Sequence, residues 1–158
     1  PQAIQALLAF IDDNPGSPLS FEARYYLADS YFRANDPGNA LRNYYLVISE
    51  NKTEFVNRAA SRAAEIERQQ KNYPKAIRNY QTVLAQAGNK TDQVTATLGL
   101  MDTYYAMGRY DSTQHFAREV LTMGNTVPGA QNRAQLAMGK VAYAKGDFAK
   151  ATQEFEKT

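Results

Sequence analysis

The chain has 158 residues, 44% of them hydrophobic, and its 18 basic and 16 acidic residues leave a net charge of +2. This balance argues against a nucleic-acid-binding face, which needs Lys and Arg gathered together. Because there is no cysteine, disulfides, thiolate metal sites and cysteine nucleophiles are excluded. No run approaches the roughly 18 apolar residues of a membrane span, and no signal peptide opens the chain. The start at Pro1 and the ending "ATQEFEKT" predict a segment of a longer protein.

Residues 1–15, which contain "QAIQALLAFIDDNP", are predicted to form the second helix of a truncated unit, and four helical hairpins follow it. The hairpins are expected at residues 18–51, 54–87, 91–124 and 129–158, the last of them truncated at its end. In the first hairpin Ala23, Leu27, Ala28 and Tyr31 recur at three- and four-residue steps, which is typical of a helix that buries one face. Short polar breaks such as "RANDPGN" leave only a tight turn inside each hairpin. No strand pattern competes.

The second helices contain an internal repeat. Similar segments are centred on small residues that follow one another at intervals of 36 to 38, namely Ala3, Ala40, Ala76, Thr113 and Ala151. Since a single hairpin cannot close a core, each unit must bury its apolar face on the next. The sequence therefore predicts an all-α solenoid.

Longer polar loops separate the hairpins. Thr53 and Thr91 are predicted to cap the helices that follow, each with an acidic residue placed next where the helix dipole favours it. The same loops match the Asn-x-Thr glycosylation pattern at 51–53 and 89–91. Capping is the favoured interpretation, because these are ordinary loop residues.

The spacing of these residues resembles the tetratricopeptide repeat, over the whole chain. Leu27-Ala28, Tyr31, Ala40 and Tyr44 stand where that family has Leu-Gly, an aromatic residue, Ala and a second aromatic residue. The resemblance implies a right-handed superhelix of antiparallel hairpins that binds other proteins. It assigns structural roles to Leu27, Ala28, Tyr31, Ala40, Tyr44, Ala76, Tyr80, Gly108, Gly146, Ala151 and Phe155.

The length of the units and the opening "FIDDNPGSP" at 10–18 are similar to a bacterial envelope branch of this family. That branch includes the Tol–Pal-associated repeat proteins and the lipoprotein of the outer-membrane assembly machine. The resemblance implies a periplasmic or envelope location, with the cytoplasm as the alternative.

Two units depart from the family pattern. Glu67 replaces an expected aromatic residue, so the first helix of the second unit should pack more thinly. Thr113 replaces the small alanine and Phe116 comes one place early, which indicates an adjusted contact. Four further rings of the second, third and fourth units are expected to be packing residues: Tyr73, Tyr104, Tyr110 and Phe148.

The family geometry implies that one face of the first helices lines the inner curve of the superhelix. Aromatic and charged residues on that face suit an extended peptide or a helix. Tyr25 and Phe32 are the rings of the first unit expected to face this groove. The full set of expected partner-binding residues is Tyr25, Asp29, Phe32, Arg33, Arg62, Glu65, Arg68, Leu98, Asp102, Tyr105, Leu136, Lys140 and Tyr143.

Catalytic patterns are missing. His115 stands alone, without a second histidine to share a metal, and reads as a surface or packing residue. There is no phosphate-binding glycine loop and no nucleophile elbow. The places that would hold a C-terminal carboxylate in this family do not match, since they carry Tyr25, Asp29, Arg62 and Gly99. We predict no catalytic residue, no metal and no cofactor.

The predicted function is a protein-interaction scaffold that holds a partner peptide or helix in its groove. Two alternatives stay open. The chain could be an assembly module that self-associates through the exposed ends of the solenoid. It could also be the substrate-recruiting arm of a larger enzyme.

Overall fold

The computed structural model describes residues 2–50 and 55–158, which contain helices and no strand. Its helices are α1 (Gln2–Asp13), α2 (Pro18–Arg33), α3 (Pro37–Glu50), α4 (Phe55–Gln69), α5 (Tyr73–Gln86), α6 (Lys90–Ala106), α7 (Tyr110–Thr122), α8 (Ala130–Ala144) and α9 (Phe148–Phe155). Within the described ranges, none of these helices has the length and apolar character needed to cross a membrane.

The helices stack as a solenoid with two layers. Each helix packs on its neighbours in the chain, and the first helices α2, α4, α6 and α8 also pack on one another in succession. Over the described residues, the second helices α3, α5, α7 and α9 make no such contacts with one another. The first helices therefore form one continuous layer. The predicted all-α solenoid of helical hairpins is confirmed.

All four hairpins are closed by the same backbone turn. One residue in each turn has a left-handed conformation, with φ between 58° and 80°. In the first turn the Asp36 N–H then donates to the Tyr31 carbonyl at 2.9 Å, and the other three turns repeat this bond. A side chain in this conformation costs about 1–2 kcal/mol, least for Asn and nothing for Gly. The four residues are Asn35, Lys71, Gly108 and Gly146.

The cap of α6 differs from the prediction. The Asn89 side chain accepts a hydrogen bond from the Asp92 N–H at 2.8 Å, so Asn89 is the N-cap and the prediction of Thr91 is wrong. The helix begins at Lys90, which places Thr91 inside its first turn. The Asn89 amide also donates to the Asp92 carboxylate at 3.1 Å, so both ends of this side-chain amide are engaged at the start of α6. The other predicted cap, Thr53, and the acceptor pattern at 51–53 lie outside the described residues, as does Glu54.

The centres of the second helices lie deep in the structure. Ala40 and Ala76 are fully buried, and Ala151 nearly so. Thr113, also fully buried, donates its hydroxyl to the Arg109 carbonyl at 3.0 Å, so its polar atom is satisfied by the backbone of its own helix. Phe148, expected to be a packing residue, is instead largely exposed and meets Tyr143 edge to face at 5.2 Å.

Glu67 is buried in a polar network, which corrects the expectation of a thin contact. Its carboxylate accepts from the Tyr45 hydroxyl at 2.8 Å and from the Asn72 amide at 2.8 Å, and the Lys75 ammonium lies 3.8 Å away. The Asn79 amide donates to the Tyr45 oxygen at 3.0 Å. The carboxylate thus links α3, α4 and α5. Burial raises the pKa of Tyr45 to about 12.

Candidate partner-binding groove

A groove runs along α4, α6 and α8 on the layer of first helices. Three cavities of about 310, 200 and 110 Å³ follow one another there. The first two share Glu65 and Tyr80, and the second and third share Asp102 and Arg133, so together they form one channel. We call this channel, from Arg58 on α4 to Lys140 on α8, the inner groove.

Helical periodicity places the lining residues. On α4, Arg58, Ser61, Arg62 and Glu65 recur at three- and four-residue steps and so share one face. On α8, Arg133, Leu136 and Lys140 do the same. The opposite faces of these helices carry alanines that pack into the core, which holds the lining residues toward the channel.

The beginning of this layer, between α2 and α4, is closed by internal contacts. The Tyr44 hydroxyl donates to the Asp29 carboxylate at 2.8 Å, and the guanidinium groups of Arg33 and Arg62 lie 3.3 and 3.6 Å from that carboxylate. The Arg62 guanidinium also stands 6.0 Å from the centre of the Phe32 ring, within reach of a cation–π contact. Burial, followed by the bond to Asp29, raises the pKa of Tyr44.

The far end, between α6 and α8, is open. Asp102 and Arg133 form an ion pair at 2.6 Å. Beside it two large apolar side chains remain exposed, Tyr105 at 37% and Leu136 at 40%, and Tyr143, further along α8, is 63% exposed. Tyr105 and Leu136 line the third cavity together with Lys140. This end combines exposed apolar area with charge.

Three predicted groove residues belong largely to the core. Tyr25 is 8% exposed because its ring packs on Tyr44 and Phe55, at 5.9 and 5.2 Å between centres. It forms part of the wall of the first cavity but does not project as expected. Leu98 is likewise buried, and Phe32 is half-buried against the first core cluster.

The other predicted residues lie on the first helices as exposed or partly buried side chains. Those that line the cavities are Arg62, Glu65, Arg68, Asp102, Tyr105, Leu136 and Lys140. Asp29, Arg33 and Tyr143 are not among the lining residues of these cavities.

Tyr80, Asp92 and Val127 also line the groove and were not expected there. Tyr80 reaches it across α6 because Gly99 leaves room: a Cβ atom at Gly99 would lie 2.2 Å from the Tyr80 Cζ. The "LGL" triplet at 98–100 was the available signal, since a glycine inside a helix usually marks a close approach. The sequence predicted Asp92 as a residue of the first turn of α6 and not as a groove residue. Val127 lies in a loop, so helical periodicity could not assign it to the groove face.

Groups for catalysis are sparse. His115 is exposed, lies 3.4 Å from the Glu119 carboxylate and meets the Phe116 ring edge to face. In the part of the chain that the structure describes, no cluster of three or more His, Cys, Asp or Glu could hold a metal.

Comparisons with known proteins agree with this architecture. Residues 1–54 match a family model described as tetratricopeptide repeat. The fold is that of tetratricopeptide repeat proteins. A crystal structure of a tetratricopeptide repeat protein from Parabacteroides merdae ATCC 43184 superposes with a TM-score of 0.83 at 17% identity. That match covers 98% of this chain and 57% of the other, so this chain spans little more than half of that protein's length.

The crystal structure of MamA is also similar, with a TM-score of 0.81 and 20% identity over 98% of this chain and 83% of MamA. No curated protein sequence matches the chain. At these identities the likeness establishes the fold, and the tetratricopeptide repeat fold is in general a scaffold for protein–protein interaction.

Proposed function

We propose that the chain is an interaction module that holds a segment of a partner protein in the inner groove, without a catalytic role of its own. The open end carries the proposal: Tyr105 and Leu136 stand exposed around a cavity that Asp102, Arg133 and Lys140 rim with charge. Exposed aromatic and arginine side chains gathered around a concavity are the usual centre of a protein interface. Burying each apolar side chain would contribute about 1–2 kcal/mol.

The test is cross-linking capture of a partner from the native cell, followed by a variant that removes the apolar contacts. Tyr105→Ala combined with Leu136→Ala should lose the partner while the helical content by circular dichroism stays unchanged. Leu46→Ala on α3 is the matched control, because Leu46 is 41% exposed and lies outside the groove. Capture of the same partner at the same yield by the double variant would refute the proposal.

Self-association is the second candidate, because apolar side chains are also exposed near both ends of the solenoid. Leu8 and Phe10 are exposed on α1, and Phe148 is exposed on α9. If this candidate is correct, sedimentation will show concentration-dependent dimers that Phe10→Ser and Phe148→Ser abolish. A monomer at all concentrations excludes it.

The repeat boundaries and the location belong to the same proposal. We place the units at 18–51, 54–87, 91–124 and 129–158; each corresponds to one described helix pair, although α6 begins one residue before the third unit, at Lys90. The "FIDDNPGSP" opening favours a bacterial envelope location, and the scattered charges favour a protein over a nucleic acid as partner. Cell fractionation would test the location.

A further inference from the structure

The ion pairs of the first helices present their basic members outward. Arg62 is 44% exposed against 15% for Asp29, and Arg133 is 56% exposed against 31% for Asp102. The pairs Arg33–Asp29 and Arg62–Glu65 have the same polarity. A partner lying on this layer would therefore meet guanidinium groups before it met carboxylates.

The carboxylates of the inner groove are already engaged by the chain itself. Asp92 accepts hydrogen bonds from the Asn57 and Asn89 amides at 3.2 and 3.1 Å, in addition to the bond with which its N–H closes the α6 cap. Asp102 is paired with Arg133, and Glu65 lies 3.5 Å from Arg62. Each of these carboxylates therefore already has a partner within the chain, which weakens its attraction for a basic segment.

Three cations of the groove form no ion pair within the described residues, namely Arg58, Arg68 and Lys140, and each lines a cavity of the groove. The Arg58 guanidinium lies 5.6 Å from the centre of the Phe55 ring, which holds it in place without neutralising it. Arg58 on α4 and Lys140 on α8 mark opposite ends of the inner groove.

We infer that the segment held in the groove is an acidic peptide with one large apolar side chain. This inference rests on the proposed function and names the class of its partner. The apolar side chain would sit between Tyr105 and Leu136, and carboxylates would face Arg58, Arg62, Arg133 and Lys140. Complementary charge of this kind sets partner choice and association rate.

The spacing of the cations sets the length of the segment. Packed helices lie about 8–10 Å apart, so the two steps from α4 to α8 span roughly 16–20 Å. An extended chain rises about 3.3 Å per residue, so at least five or six residues are needed to reach from Arg58 to Lys140. The acidic groups must therefore be spread along the peptide.

The experiment is selection of a random twelve-residue peptide display library on the purified chain, at low and at high salt. Enriched sequences should carry net negative charge and an aromatic residue or leucine. A synthetic copy of one of them should bind at least tenfold more weakly to the Arg58→Glu, Lys140→Glu double variant, and less tightly in 0.5 M salt. The double variant Arg42→Glu, Arg78→Glu reverses two exposed arginines on α3 and α5 outside the groove, so it is the charge-matched control and should leave binding unchanged.

The outcomes distinguish the acidic-peptide inference from the groove function on which it rests. Enrichment of neutral or basic peptides that Tyr105→Ala with Leu136→Ala abolishes would overturn the acidic partner and leave the groove function standing. Enrichment of peptides that ignore this apolar double variant, or no enrichment at all, would overturn both. Circular dichroism of each variant shows whether the helices are intact, and Lys140→Gln replaces Lys140→Glu if the charge reversal unfolds the chain.

Discussion

The two ends of the first-helix layer carry similar residues in the same register and behave differently. Asp102 and Tyr105 on α6 follow Asp29 and Phe32 on α2 by 73 residues. At the α2 end, the Asp29 carboxylate accepts a hydrogen bond from the buried Tyr44 hydroxyl and pairs with Arg33 and Arg62. Phe32 is half-buried there. At the α6 end, Asp102 is paired with Arg133 and Tyr105 stays exposed.

One position in the next unit explains this difference. Arg62 lies on α4, the first helix of the next unit, where it pairs with Asp29 and lies over the Phe32 ring of α2. Its counterpart on α8, 75 positions later as Gly146 is from Lys71, is Ala137, whose methyl group offers no charge to Asp102 and leaves Tyr105 exposed. A repeat protein can thus close or open its binding face one unit at a time, through the residue that the following helix supplies.

The largest loss of stability is expected for a substitution at Gly99, which lies on α6 between the closed and the open ends. Gly99→Ala would place a Cβ atom 2.2 Å from the Tyr80 Cζ, and the buried ring has little room to move. We expect the free energy of unfolding to fall by about 2–3 kcal/mol in urea denaturation. Gly88→Ala is the control, because a Cβ atom there meets nothing within 4 Å. Equal effects at the two glycines would contradict the proposed clash.

Asp29 and Asp102 occupy equivalent positions at the closed and the open end, so replacing each of them compares the stability of the two ends directly. Asp29→Ala leaves the buried Tyr44 hydroxyl without its acceptor and should cost about 2 kcal/mol of unfolding free energy. Asp102→Ala removes a more exposed ion pair and should cost less than about 1 kcal/mol. Adding Tyr44→Phe to Asp29→Ala should recover part of the loss, since it removes the unpaired hydroxyl. Equal costs for the two alanine variants would show that the α2 end is no more tightly closed.

Alkaline pH should lower the free energy of unfolding through Tyr45, which is hydrogen-bonded to Glu67 between α3 and α4. Burial raises the pKa of Tyr45 to about 12, above the usual value of 10, so the neutral phenol stabilises the fold fully below about pH 10. This contribution is lost as the pH rises through about 12. Urea denaturation between pH 9 and 12 should therefore show a smaller loss of stability in Tyr45→Phe than in the wild type. Identical pH profiles would exclude Tyr45 as a contributor.

The smallest effect on stability is expected from closing the open end. Leu136→Arg would place a guanidinium group beside Asp102 and Tyr105, as Arg62 lies beside Asp29 and Phe32, and it should change the free energy of unfolding by less than about 0.5 kcal/mol at this exposed position. The same change should abolish partner binding if an uncovered Tyr105 is required. Unchanged capture of the partner would contradict the role of the open end.

The helical architecture was predictable because it depends on local spacing. The small residues Ala40 and Ala76 and the apolar steps around Leu27 predict helices and their buried faces, and Gly108 and Gly146 suit the left-handed turns that close two hairpins. Asn35 and Lys71 complete the same turn in the other two. The buried role of Glu67 was not predictable, because its partner Tyr45 stands on another helix, 22 residues away.

The sequence by itself determined the repeat, the helical hairpins and the face of each first helix, since these follow from residue spacing along one chain. Tertiary structure alone decided which residues on that face are available. Tyr25 and Tyr105 were both expected in the groove, but Phe55 from the next unit packs on Tyr25 and buries it, whereas Tyr105 meets Tyr110 of its own unit at 6.1 Å and stays exposed. The exposure of a side chain depends on what neighbouring helices place beside it, and that is a property of packing.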